Sequence, residues 1–220
     1  MLFHKKDQEN APEKTASKGN SHYLTAKESR EIAKSNSRII RELEKRKKRH
    51  ATEADYLCEM KDPANIVEFD DLHTHFFTDA GVAKAVDGVT FSIPKGATVG
   101  GVGESGCGKS VTSLSLMQLV QAPQGQIVSG SIRFNMGDKA YDIAKMPVSD
   151  MQKIRGKQIA MIFQEPMTSL NPVFRIGYQL DEMVLLHQPG CTKEQAKAHS
   201  LEMLKRVGIA APERVYKCYP

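Results

Sequence analysis

The chain has 220 residues, 40% hydrophobic and 26% charged, enough for one folded domain plus a tail and too apolar for wholesale disorder. Its longest apolar run, Ile159–Phe163, is five residues, far short of a bilayer span, and its first 30 residues hold no stretch like a secretory signal, so neither spanning nor export is expected. Net charge is +5, but residues 1–50 carry 14 Lys/Arg against 7 Asp/Glu and the remainder 17 against 19, so basicity marks the tail and no specific nucleic-acid partner is expected for the folded part.

In chain order, residues 1–20 are polar and charged, too poor in large apolar groups to offset the entropy of ordering, and are expected to be disordered. From about Ala26 to His50, helix formers dominate. Ile32, Ile39, Ile40 and Leu43 give a thin apolar stripe, and Glu42/Arg46 and Glu44/Lys48 sit one turn apart, which predicts a solvated helix with one weakly adhesive side. Its basic run, Lys45 to Arg49, is read as an exposed face, with contact to anionic lipid or RNA as the alternative.

Beyond Asp62-Pro63, the segments 66–72 and 89–93 alternate around an Asp79-Ala80-Gly81 turn and predict antiparallel strands. A short strand is expected over Thr98–Val102 and a helix over Lys109–Gln121. A second hairpin is expected over 131–135 and 141–143, then a short helix over Asp150–Gly156. Ile159–Phe163, apolar throughout, reads as a parallel strand buried on both faces. Helices follow over Ile176–Leu186 and Lys193–Val207, the second opened by Thr192 with Gln195 three residues on and stopped by Gly208.

Gly103-Glu104-Ser105-Gly106-Cys107-Gly108-Lys109-Ser110 matches GxxxxGK[ST] between a predicted strand and a predicted helix. Glycines let main-chain N–H groups converge on phosphate oxygens at the positive end of a helix. Lys109 would reach the β- and γ-phosphates, and the Ser110 hydroxyl would enter a Mg²⁺ shell. The implied ligand is Mg-ATP or a related triphosphate, held by residues 103–110 and Val111. Gly101-Val102-Gly103-Glu104-Ser105-Gly106 also reads GxGxxG, but that dinucleotide fingerprint wants an acidic residue about 20 positions on. None occurs between Glu104 and Asp138, and the reading leaves Lys109-Ser110 without a role.

After the apolar run, Phe163-Gln164-Glu165-Pro166-Met167-Thr168-Ser169-Leu170-Asn171-Pro172 carries two prolines that force a loop. Gln164 offers only a neutral amide oxygen, so it reads as a sensor of Mg²⁺ or water rather than a metal-organising carboxylate. With VGESGCGKS, FQEPMTSLNP and KAVDGVTFSIPKG, the chain from Ile66 to Pro220 resembles the ATP-binding subunits of ABC importers for oligopeptides, dipeptides and, in some members, nickel. The resemblance implies an α/β P-loop NTPase core with an antiparallel β subdomain and the start of a helical subdomain, preceded by a charged helical extension. The divisions expected are 1–62, 63–175 and 176–220. It also implies that Gln164 contacts Mg²⁺ and links nucleotide to permease. Phe76 would stack on adenine, with Phe77 as runner-up, and the helical surface of about Gln179–Lys217 would dock the permease.

Implied partners are membrane permease subunits, a second ATP-binding subunit (homo- or heterodimer) and, indirectly, a substrate-binding protein, at the cytoplasmic face of the plasma membrane. Gly101 departs from the large aliphatic residue usual there, and the charged tail is longer than most members carry. The LSGG signature, Walker B aspartate, catalytic glutamate and switch histidine do not occur in the 220 residues, so no catalytic residue is assigned. ATP binding with little hydrolysis is expected of this polypeptide alone. A non-hydrolysing regulatory or remnant fragment is the alternative, and a lipid- or RNA-associated protein using the basic helix is a third.

His73 and His75 alternate at strand spacing, but with no third ligand nearby in sequence they read as structural. Cys107 reads as an alkylatable thiol without a base. Cys58, Cys191 and Cys218 share no CxxC spacing with it and read as reduced thiols. Met161, Met183 and Met203 read as core filler, and Tyr216 and Tyr219 as packing for the last helical turn.

Overall fold

A computed structural model describes residues 24–47, 51–164 and 169–220. The disorder expected for residues 1–20, the end of the basic run at 48–50 and the centre of the proline loop at 165–168 lie outside them. Strands β1 (Leu57–Cys58), β2 (Asn65–Thr78), β3 (Gly81–Pro94), β4 (Gly125–Asn135) and β5 (Ala140–Asp142) form one sheet in the order β1-β5-β4-β2-β3, every pairing antiparallel. The expected first hairpin forms with its turn at Asp79–Ala80, and the second forms as β4 and β5.

Strand β2 shows how pattern becomes packing. Val67 and Phe69 face the core, then Leu72 and Thr74 do, so the period-2 alternation slips by one residue at Asp71. Asp71 takes φ 49, and the β2–β3 register shifts there, the signature of a bulge. Opposite it, Gly130 takes φ 90, and a Cβ at that position would collide with the Asp71 carbonyl. Only glycine lets β4 pass the bulge.

The core lies on one face of this sheet. Phe69, Leu72, Ile132 and Phe134 meet Ile143 and Met146 from the segment after β5, and Met151 and Ile154 from helix α4 (Val148–Ile154). Tyr56, from the one-turn helix α2 (Glu53–Tyr56), joins them and donates its hydroxyl to Asp150 Oδ2 at 3.0 Å. The buried carboxylate Glu68 accepts from the Lys61 and Asp62 amides and from Asn65 Nδ2, each at 2.8–2.9 Å. Burial alone would raise its pKa, but these donors and Arg133 outweigh that and hold it below the ordinary carboxylate value.

Helix α1 (Ala26–Lys47) is anchored rather than wholly solvated. Its inward face is Asn36 and Leu43, flanked by half-buried Ile32 and Ile40, while Ile39 of the expected stripe points outward. Asn36 Nδ2 donates to the Thr78 carbonyl at 2.9 Å, and Gln126 Nε2 donates to Glu44 Oε1 at 2.8 Å. The stripe is too thin to bind by apolar area alone, and these polar contacts supplement it.

Two expected strands are absent among the described residues. Thr98–Val102 is irregular, with Val102 99% exposed, and Ile159–Phe163 makes a single isolated bridge, Arg155 to Ile159, with Ile162 96% exposed. Both runs have strand composition, but a strand exists only as a member of a ladder, and neither finds a neighbour.

Helices α5 (Ile176–His187), α6 (Lys193–Arg206) and α7 (Pro212–Lys217) pack on one another. Thr192 and Gln195 form the expected capping box, and Gly208 follows the helix at φ 76. Asp181 on α5 gathers the group, accepting from Ser200 on α6 at 2.7 Å and from the Tyr216 hydroxyl on α7. Tyr216 therefore packs as expected, whereas Tyr219 is exposed beneath Arg175, 6.0 Å from ring centre to guanidinium.

Candidate nucleotide-binding site

Helix α3 (Lys109–Leu116) begins directly after Gly108, which caps it at φ 91. A Cβ at Gly108 would strike the carbonyl of Ala85 on β3, so the loop seats against the sheet only because this residue is glycine. Gly106 takes φ 84 with open space around it, while a Cβ on Gly103 would come within 2.7 Å of Cys107 Sγ. The Thr112 amide donates to the Gly108 carbonyl at 2.9 Å and starts the helical ladder. The amides of Lys109, Ser110 and Val111 belong to the first turn, where an α-helix offers no internal acceptor.

Inside the loop, Lys109 Nζ donates to the carbonyls of Gly103 and Glu104, both at 2.7 Å, and lies 3.4 Å from Cys107 Sγ. The cation is thus folded back on its own loop, on carbonyl oxygens that a stronger anionic acceptor would replace. First-turn amides, a side-chain ammonium and a helix N-terminus form a donor set for a polyphosphate. Ser110 is exposed in the first turn, and its hydroxyl is a hard oxygen ligand suited to Mg²⁺.

Side chains that show no motif hold α3 in place. Ser115 Oγ meets Thr74 Oγ1 of β2 at 2.9 Å in full burial. At the other end, Arg155 donates to the Met117 and Gln118 carbonyls at 2.9 and 3.1 Å. Gln118 Nε2 donates to the Ile143 carbonyl and, at 2.8 Å, to that of Met146. Helix α3 ends at Leu116 rather than Gln121 because Gln118 takes φ 49 and the chain turns back into the sheet. Spacing in the sequence gives no signal for these supports.

The remaining expected site residues are dispersed. Gln164 is exposed at a bend, with no hydrogen bond to residues 103–110 among the described residues. Phe76 is half-buried on β2 beside Gly125, where a Cβ would lie 2.9 Å from its ring. Phe77 is 5% exposed and enclosed. Cys107 is exposed, as an alkylatable thiol must be.

Residues 86–217 match the family model described as ABC transporter. The chain is 46% identical over 157 residues to the oligopeptide transport ATP-binding protein AppD of Bacillus subtilis, covering 71% of this chain and 46% of that protein. It is 36% identical over 155 residues to the dipeptide transport ATP-binding protein DppD of Escherichia coli, covering 70% and 46%. It thus spans less than half the length of these relatives. In fold it is similar to MJ0796, a bacterial ABC transporter cassette, at TM-score 0.59 and 19% identity, over 70% of this chain and 61% of that one. A second structure of MJ0796, a dimeric post-hydrolysis state bound to ADP and Pi, matches at TM-score 0.57 over the same shares. The match along 86–217 shows that the chain belongs to the ABC transporter family, and its fold is that of the family's ATP-binding cassette.

Proposed function

We propose that this chain is the nucleotide-binding part of the ATP-binding subunit of an oligopeptide or dipeptide importer. The observation that carries the reading is the loop 103–110, backed by Ala85 and opening onto the first turn of α3. Lys109 exchanges the Gly103 and Glu104 carbonyls for phosphate oxygens, and the free amides of the first turn hold the same group. Ser110 Oγ would hold Mg²⁺, and the resemblance would add the Gln164 amide oxygen, which lies on a loop apart from residues 103–110 here; the ion would supply charge neutralisation for the triphosphate. The resemblance assigns Phe76 to adenine stacking, and Phe76 is the more accessible of the pair, Phe77 being enclosed. Nucleotide binding by the loop 103–110 is the activity proposed.

The relatives are oligopeptide and dipeptide transport ATP-binding proteins, and the resemblance to importer subunits supports the partners proposed. These are membrane permease subunits, a second ATP-binding subunit, and a substrate-binding protein reached through the permease. Supporting a docking face are Val173, Phe174, Tyr178 and Leu186, all exposed around the start and outer side of α5. Among the described residues no helix is long and apolar enough to cross a membrane, which is compatible with a peripheral position on the inner face.

The test is fluorescence titration with a methylanthraniloyl-ATP analogue, the chain having no tryptophan of its own. Lys109→Ala is expected to weaken binding by about 100-fold, the equivalent of about 2.8 kcal/mol at roughly 1.4 kcal/mol per decade. Equal affinity in the variant overturns the assignment.

A further inference from the structure

We propose that the outer face of the β2–β3 hairpin carries a divalent transition-metal site built from His73, His75 and Asp87. His73 Nδ1 lies 2.8 Å from Asp87 Oδ1, and His75 Nε2 lies 3.7 Å from the same oxygen. One ligand atom from each residue falls within 4.8 Å of the others. Ligands bonded at about 2.0–2.1 Å in a tetrahedral shell stand roughly 3.3 Å apart, and the two measured separations straddle that value.

Two further contacts separate this site from a chance meeting of polar groups. His73 Nε2 is 3.1 Å from Asp71 Oδ1, so with Nδ1 turned toward the metal position the opposite N–H donates to a carboxylate. That arrangement fixes the tautomer of metal-binding histidines. Lys84 Nζ, 3.3 Å from Asp87 Oδ2, steadies the carboxylate from its other oxygen. A histidinium bridging Asp71 and Asp87 would account for His73 alone. It leaves His75 Nε2 buried with no hydrogen-bond partner, at a cost that a metal bond removes.

Two imidazoles and one carboxylate suit Zn²⁺, Ni²⁺, Co²⁺ or Cu²⁺ rather than Mg²⁺ or Ca²⁺. Asp87 is 46% exposed, which leaves the fourth position to water and the site open to solution. The register explains why spacing alone hides the third ligand. From the turn, Thr78 pairs with Gly81 and His75 with Lys84, but Thr74 then pairs with Val86, so Ala85 is an extra residue. The bulge brings Asp87 opposite His73, where an unbroken register would place Val86.

The experiment is a Zn²⁺ titration of the ¹⁵N-labelled full chain, followed by long-range imidazole ¹H–¹⁵N spectra. Two of the seven histidines should respond, one with the pattern of an Nδ1-bound ring and one Nε2-bound, saturating together. His75→Gln and Asp87→Asn should each lower zinc affinity by about tenfold or more, and Asp71→Asn, through His73, by about 10–100-fold. The proposal fails if no imidazole shifts in excess zinc, if His187 or His199 responds instead, or if His75→Gln binds zinc unchanged. Should a variant lose its folded spectrum, the tautomer pattern of the unmutated chain decides.

Discussion

The β2–β3–β4 sheet and the two segments 98–102 and 159–163 all read as strands in the sequence and meet opposite fates. Ile132 in β4 is fully buried between neighbours, whereas Ile162, an equally good strand former, is 96% exposed. The difference is supply of partners. The β2–β3 hairpin brings its own neighbour a few residues away and leaves β2 as a formed edge on which Ile132 of β4 pairs with Phe69, while a central parallel strand depends wholly on strands that are distant in sequence. β-propensity thus reports readiness to pair, and the ladder decides.

Mutations can break or sharpen this contrast. Ile132→Ala opens a cavity beneath the sheet and should cost about 2–5 kcal/mol in urea unfolding. A cost near zero would mean the hairpin core is not the cooperative unit. Glu68→Gln keeps the shape but removes a charge held by two amides, Asn65 and Arg133, and should cost about 2 kcal/mol at neutral pH. Because the folded carboxyl is held below its unfolded value of 4.5, its contribution is full above that pH and lost as pH falls through the folded value. The variant should therefore show a flatter loss of stability in acid than the parent, and identical acid profiles would contradict the role given to Glu68. Thr192→Ala removes one half of the capping box on α6 and should cost about 1 kcal/mol, read as faster amide exchange at the start of that helix with the sheet unaffected. Smallest of all, Ile162→Ala should stay within about 0.5 kcal/mol of the parent. A penalty matching that of Ile132→Ala would show the apolar run buried in solution and erase the distinction between the two regions.

What the sequence disclosed follows the range of the interaction involved. Local chemistry was legible: the 79–81 turn, the Thr192–Gln195 cap, the stop at Gly208 and the glycine and lysine pattern of 103–110 all depend on residues a few positions apart. Helix α7 was legible only as a last helical turn around Tyr216, because its six residues are too few to show an apolar period. The supports of the loop were illegible for another reason. Thr74 and Ser115 are ordinary polar residues, and only the fold brings their hydroxyls together in a buried space. Asp87 lay hidden behind a register shift that no local pattern announces.

That shift at Ala85 constrains how the hairpin tolerates changes in length. Its carbonyl supports Gly108 on one side, and its presence as an extra residue sets Asp87 across from His73 on the other. Residues added at Asp79–Ala80 should pass almost unnoticed, since the turn lies at the open end. Removing Ala85 alone would straighten the strand and leave Val86 across from Thr74 and Asp87 across from His73, but it would withdraw the carbonyl floor under the loop. Insertions and deletions should therefore be permitted at one end of this hairpin and forbidden at the other.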